Sequence, residues 1–155
     1  MARPVTFVDT SVLCNLLRVP HMDQDRAAVA DELRARRVSS DLVLPVTAVL
    51  ETGNHVAQVS DGRARRSCAE RFSDVLRMVV ERKAPWTLNR VEWDEQHLRE
   101  LVAGAGTGLS LTELASQRLG CGDLCILAER NRYLERVACT TADIWTLDRQ
   151  LASYA

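Results

Sequence analysis

The sequence predicts an α/β domain with a mostly parallel sheet flanked by helices on both faces. Three observations predict it. Short apolar runs of strand length alternate with longer segments whose apolar residues recur at helical spacing, the pattern of βα units. Proline, glycine and Asp-Gly punctuation falls between those segments rather than inside them. The chain has 155 residues, 46% hydrophobic and 26% charged, which suits one ordinary domain spanning 1–155 with a core of its own.

The elements follow in order. Val5–Val8 is an apolar run that ends in Asp9-Thr10-Ser11, and Val12, Leu13, Leu16 and Leu17 then keep helical spacing up to Pro20. An exposed helix is predicted over 23–37, with a thin stripe of Met22, Val29 and Leu33. Leu42-Val43-Leu44 is the next strand, stopped by Pro45. From there Val46, Val49, Leu50, Gly53, Val56 and Ala57 form a predicted apolar face, with Glu51, Asn54, His55 and Gln58 opposite. Asp61-Gly62 is a turn signal. The clearest amphipathic helix covers 65–83, with Cys68, Phe72, Val75, Leu76 and Val79 on its core stripe.

Past Pro85, Trp86-Thr87-Leu88 is a short strand and 93–102 a helix, followed by a flexible loop at Gly104, Gly106 and Gly108. Ser110 and Glu113 have the spacing of a capping box for a helix reaching Leu119. Gly120 and Gly122 break that helix. Asp123 stands where the next N-cap belongs, with Leu124, Leu127 and Leu134 as that helix's apolar face. A last strand over 143–147 and a short helix complete the order.

Composition narrows the function. Net charge is −1, so the chain is no polycation, and no apolar stretch approaches the roughly 20 residues of a membrane span. With no apolar leader after Met1, a cytoplasmic location is expected. The five cysteines (Cys14, Cys68, Cys121, Cys125, Cys139) form no Cys-x-x-Cys pair and are expected as reduced thiols. The three histidines, His21, His55 and His97, form no spaced pair and are expected as surface or satisfied core residues. Eight basic residues lie between Arg63 and Arg90, and arginine forks suit phosphate contacts, although biased genome composition gives the same preference. Arg63, Arg65 and Arg66 cluster beside a turn at a helix start and are the candidates for contacts to nucleic-acid phosphates.

Four acids carry the candidate chemistry. Ligands of an open parallel sheet gather outside the carboxyl ends of its strands. Asp9 follows the first strand, Glu51 lies within two turns on the helix after the second, Asp123 opens a helix, and Asp148 follows the last strand. Crowded carboxylates repel by ~4 kcal/mol per pair at 4 Å with an effective dielectric near 20. A hard divalent cation such as Mg²⁺ removes that conflict, activates water and stabilises charge on a phosphate. Each acid also has a plainer explanation: Asp9, Asp123 and Asp148 as helix caps, Glu51 as a solvated helix residue. Their joint placement favours the site.

The stretches Val8-Asp9-Thr10-Ser11-Val12-Leu13, Pro45-Val46-Thr47-Ala48-Val49-Leu50-Glu51, Gly122-Asp123-Leu124-Cys125-Ile126-Leu127-Ala128 and Thr146-Leu147-Asp148-Arg149-Gln150-Leu151 together resemble the PIN-domain family. That family is best known through the VapC-like toxin ribonucleases of toxin–antitoxin pairs. The resemblance runs over nearly the whole chain and implies a PIN-like fold. It further implies Mg²⁺ or Mn²⁺ held by Asp9, Glu51, Asp123 and Asp148, which would be both the metal ligands and the catalytic residues. Thr10, Ser11 and Thr146 would support the acids by hydrogen bonds. The implied reaction is endonucleolytic hydrolysis of RNA, and the implied partners are an inhibitory antitoxin and a second copy in a homodimer. Segment 104–119 departs from the shorter toxins by a glycine loop and a helix. Alternatives are a catalytically weak PIN-like module that binds RNA or protein, and a DNA-directed nuclease.

Thr-x-Asp occurs twice, and the family's shorter helix-to-strand return would make Asp143 the fourth acid, with Val137-Ala138-Cys139 as the last strand. Better β-propensity over 143–147 and the family-like tail after Asp148 favour Asp148, with Asp143 as the fallback.

Overall fold

The computed structural model describes residues 2–138 and 141–155. Its elements are β1 (Val5–Val8), α1 (Thr10–Leu16), α2 (Arg26–Ser39), β2 (Asp41–Leu44), α3 (Val46–Ala57), α4 (Gly62–Val80), β3 (Trp86–Leu88), α5 (Glu95–Val102), α6 (Leu111–Ser116), α7 (Cys121–Arg136), β4 (Ala142–Trp145) and α8 (Arg149–Ala152). The strands form a four-stranded, all-parallel sheet in the order β3-β2-β1-β4. Because every pairing is parallel, Val8, Leu44, Leu88 and Trp145 all end at one rim.

Alternation along the strands divides the core. Val5, Phe7, Val43 and Ile144 pack with Leu101 of α5, Leu114 of α6 and Leu124 and Leu127 of α7. Val8, Leu42, Leu44, Trp86 and Trp145 turn the other way, onto Val12 and Leu13 of α1, Val29 of α2 and the half-buried Val75 and Val79 of α4. Both sheet faces are therefore covered, which is why these parallel strands are apolar on both sides. A third cluster, Cys14, Leu17, Val19, Val56, Val59 and Cys68, locks α1, α3 and α4 together beyond the sheet.

Several local expectations are corrected. The inward side of α3 is Thr47, Ala48, Thr52 and Val56, whereas Leu50 is 59% exposed. The helix is turned from the face its apolar residues suggest, because α1, α4 and α7 all pack on it. Glu51 is consequently half-buried. Leu134 of α7 is 43% exposed rather than part of an apolar face. The capping box of Ser110 and Glu113 is present, but its helix ends at Ser116.

The glycine loop is a tied turn. The Thr107 hydroxyl donates to the Gly104 carbonyl at 2.8 Å, and the Asn131 side chain donates to the Ala105 carbonyl at 2.8 Å. Gly104 has φ +83°, and a Cβ there would collide with the Leu109 carbonyl.

Cys14, Cys68, Cys121 and Cys125 are free thiols, and Cys139 lies outside the described residues, as does part of the alternative strand that contains it. His97 is fully buried on α5 against Trp93, yet among the described residues neither ring nitrogen has a hydrogen-bond partner, so it is not a satisfied core histidine. Burial, and then the charge of Arg132, pulls its pKa down. Among the described residues, no helix is long and apolar enough to cross a membrane.

Candidate active site

Asp9 leaves β1 at the carboxyl rim and caps α1, with 3% of its surface exposed. Its Oδ2 accepts from the Ser11 amide at 3.3 Å, the Ser11 hydroxyl at 2.7 Å and the Thr146 hydroxyl at 2.7 Å. Its Oδ1 is buried and has no hydrogen-bond partner among the described residues. One oxygen of this carboxylate therefore does the capping, and the other is left unused. Thr146 reaches Asp9 because β4 lies beside β1, with Val8 opposite Trp145. The exit loops are tied further: the Leu147 amide donates to the Ser11 hydroxyl at 3.0 Å and the Asp148 amide to the Thr146 hydroxyl at 3.0 Å.

Glu51 projects from the second turn of α3. The Thr10 hydroxyl donates to its Oε1 at 3.1 Å, and burial, opposed by that bond, raises its pKa. Its carboxylate lies against Gly122 so closely that a Cβ on that residue would overlap it. α7 starts at Cys121 with Gly120 as its N-cap, so Asp123 is a first-turn residue rather than the cap. Half-buried there, Asp123 has its pKa pushed up to about 7 by burial and then by the charges of Asp9, Asp148 and Glu51. Asp148 is exposed and caps α8, its Oδ1 accepting from the Gln150 and Leu151 amides at 2.8 and 3.1 Å.

The four acids thus come from the β1 exit, α3, the first turn of α7 and the β4 exit, near enough that three of them perturb the fourth. Among the described residues, no three His, Cys, Asp or Glu side chains stand within reach of one metal ion as they are placed. Their donors are all carboxylate oxygens, the set a hard cation takes.

Asp143 is placed elsewhere. It sits within β4 opposite Thr6, accepts from the Thr6 hydroxyl at 2.6 Å and pairs with Arg36 at 3.2 Å. Of the three candidate RNA-binding arginines, Arg65 donates back to the Val59 and Ser60 carbonyls and Arg66 pairs with Glu70 one turn on. Arg63 is exposed at the start of α4.

Sequence reasoning passed over Glu129. It is 0% exposed in the middle of α7, and four donors surround it: the Val46 amide at 3.2 Å, the Thr47 amide at 2.9 Å, the Thr47 hydroxyl at 2.7 Å and the Asn89 side chain at 2.8 Å. Its signal was a glutamate directly after the unbroken apolar run Leu124–Ala128. A cleft of about 830 Å³ opens beside it, lined by Val46, Asn89, Arg90, Arg132 and Arg136 among others, and none of the four rim acids lines that cleft.

The chain matches no model of a known protein family and none of the curated proteins.

Proposed function

We propose that the chain is a PIN-like ribonuclease of the cytoplasm, hydrolysing RNA phosphodiester bonds with Mg²⁺ or Mn²⁺ at the rim of Asp9, Glu51, Asp123 and Asp148. The observation that carries this is the buried, unpartnered Oδ1 of Asp9 beside three further carboxylates. A buried acceptor without a partner costs on the order of 1–3 kcal/mol, more for a charged group, and such a group calls for an unseen cation or water. Asp123 is pushed up first by burial and then by three neighbouring carboxylates, and the second part is the like-charge conflict that a cation relieves. The all-oxygen donor set fits the same ion.

When bound, the ion would supply Lewis-acid stabilisation of phosphate charge and activation of a water. The chain's own residues prepare the rest. Ser11 and Thr146 hold one oxygen of Asp9 and fix the plane of its carboxylate. Thr10 holds Glu51. Gly122 leaves room for the Glu51 carboxylate at the first turn of α7. An inhibitory antitoxin, a homodimer and RNA contacts from Arg63 rest on the family resemblance and the arginine cluster alone.

One observation favours a second reading, a PIN-like module that binds RNA or protein without cutting. No three of the acids stand within reach of one ion as they are placed. RNA incubated with the protein in Mg²⁺, Mn²⁺ and EDTA separates the two. Cleavage that requires either metal and stops with EDTA supports the nuclease; binding with no cleavage in any arm supports the module.

A further inference from the structure

α3 begins with an unusual deficit. Its N-cap is Pro45, which offers no capping side chain. The free amides of a first helical turn need acceptors when they are buried. Here the acceptor comes from a different helix. Glu129 of α7 takes the Val46 amide on Oε2 and the Thr47 amide on Oε1, then adds the Thr47 hydroxyl on Oε1 and Asn89 on Oε2. Each oxygen accepts twice, which fills the acceptor sites of a carboxylate. Its negative charge also faces the positive end of the α3 dipole.

This bridge joins the two helices that carry Glu51 and Asp123. Glu51 lies about one and a half turns beyond the capped end of α3, and Asp123 about one and a half turns before Glu129 on α7. The second point of contact along the seam is the Glu51 carboxylate against Gly122. Asn89, whose backbone amide donates to the Leu44 carbonyl at 2.8 Å, anchors the bridge to the ends of β2 and β3. The seam is thus pinned at one end by Glu129 and meets at the other in the acids themselves.

We propose that Glu129 is a positioning residue: by capping α3 from α7 it sets the separation of Glu51 and Asp123, and with it the affinity of the rim for a divalent cation. The geometric half stands on the bridge alone, and the cation half rests on the nuclease reading. Glu129→Gln tests both, because whichever oxygen the amide nitrogen replaces, it turns a donor toward one of the two backbone amides. Thr47→Val, which removes one donor of four, serves if the Gln variant does not fold.

Mn²⁺ affinity is measured from the free-ion paramagnetic resonance signal, at a temperature where both proteins are folded. It should weaken about tenfold or more, as for outer-shell partners of metal ligands. Cleavage at saturating Mn²⁺ should recover to near the wild-type rate, since the four acids are intact. A folded variant with lowered melting temperature and unchanged Mn²⁺ affinity overturns the proposal and leaves Glu129 a stabilising residue only. If the wild type binds no Mn²⁺, the nuclease reading fails, and a crystal structure of the variant decides the geometric half: a changed Glu51–Asp123 separation supports it, an unchanged one overturns it.

Discussion

The Thr146 hydroxyl donates to Oδ2 of Asp9 at 2.7 Å across 137 residues of chain. That bond, with those from Ser11, occupies one oxygen of the carboxylate and leaves Oδ1 bare in a buried place. Two substitutions separate the roles of the two oxygens. Thr146→Val keeps the shape and removes the donor, so cleavage and Mn²⁺ affinity should fall about 10- to 100-fold, the usual range for an outer-shell partner. Asp9→Asn keeps the cap but loses the charge, so cleavage should drop to background while circular dichroism stays that of the wild type. Wild-type cleavage by a folded Asn variant would remove Asp9 from the site.

Asp148 and Asp143 should part company. Asp148→Asn retains α8's cap, because Asn caps about as well as Asp, yet it should abolish cleavage. Asp143→Asn weakens a half-exposed pair with Arg36, worth roughly 0–1 kcal/mol, and should leave cleavage near wild type. Rates of the two variants under one set of Mn²⁺ conditions check this, and the reverse order would move the fourth acid into β4.

Asp123 makes the metal-free protein sensitive to pH. Its folded pKa of about 7 lies above the ordinary 3.8, so the folded state holds the proton more tightly than the unfolded chain does. The stability gained from that proton is full below about pH 4 and is lost as pH rises through about 7. Glu51, raised by burial, acts in the same direction. Melting temperatures of EDTA-treated protein should therefore decline across that window, and Asp123→Asn should flatten the decline. A variant that declines as steeply as the wild type would assign the slope to other groups.

Gly122→Ala should harm the site where an alanine in a helix ordinarily stabilises. The new Cβ would overlap the Glu51 carboxylate, which must then leave Thr10. Elsewhere in a helix interior, Gly→Ala favours folding by about 1 kcal/mol. Here the expected result is weakened Mn²⁺ binding and cleavage, with no gain in melting temperature. Gly122→Ala combined with Glu51→Ala should melt above the Gly122→Ala single variant and still not cleave, which isolates the clash.

The elements that the sequence made legible are those specified locally. β1 is an apolar run closed by a polar turn, so both the strand and the exit position of Asp9 can be read from consecutive residues. The stripe of α4 keeps one period, and Cys68, Phe72, Val75, Leu76 and Val79 are its inward or half-buried residues. α3 defeated the same method because its buried side carries Thr47 and Thr52 while Leu50 faces out. Hydrophobic periodicity ranks residues by type, and it cannot see that Thr47 is bound to Glu129. The partners of Glu129 were illegible for a related reason: its donors lie 82, 83 and 40 residues away, at Thr47, Val46 and Asn89. The contact of Glu51 with Gly122 is equally non-local, and the glycine looked only like a helix breaker.

Among the described strands β4 pairs with β1 alone, and that pairing has a consequence for the order in which the protein acquires its rim. A ribosome releases Asp9, Glu51 and Asp123 before Thr146 and Asp148, and parallel strands so far apart along the chain are slow to find each other. On a growing chain the Asp9 carboxylate has neither the Thr146 donor nor the fourth acid beside it. Assembly of the rim therefore waits for the docking of one four-residue strand.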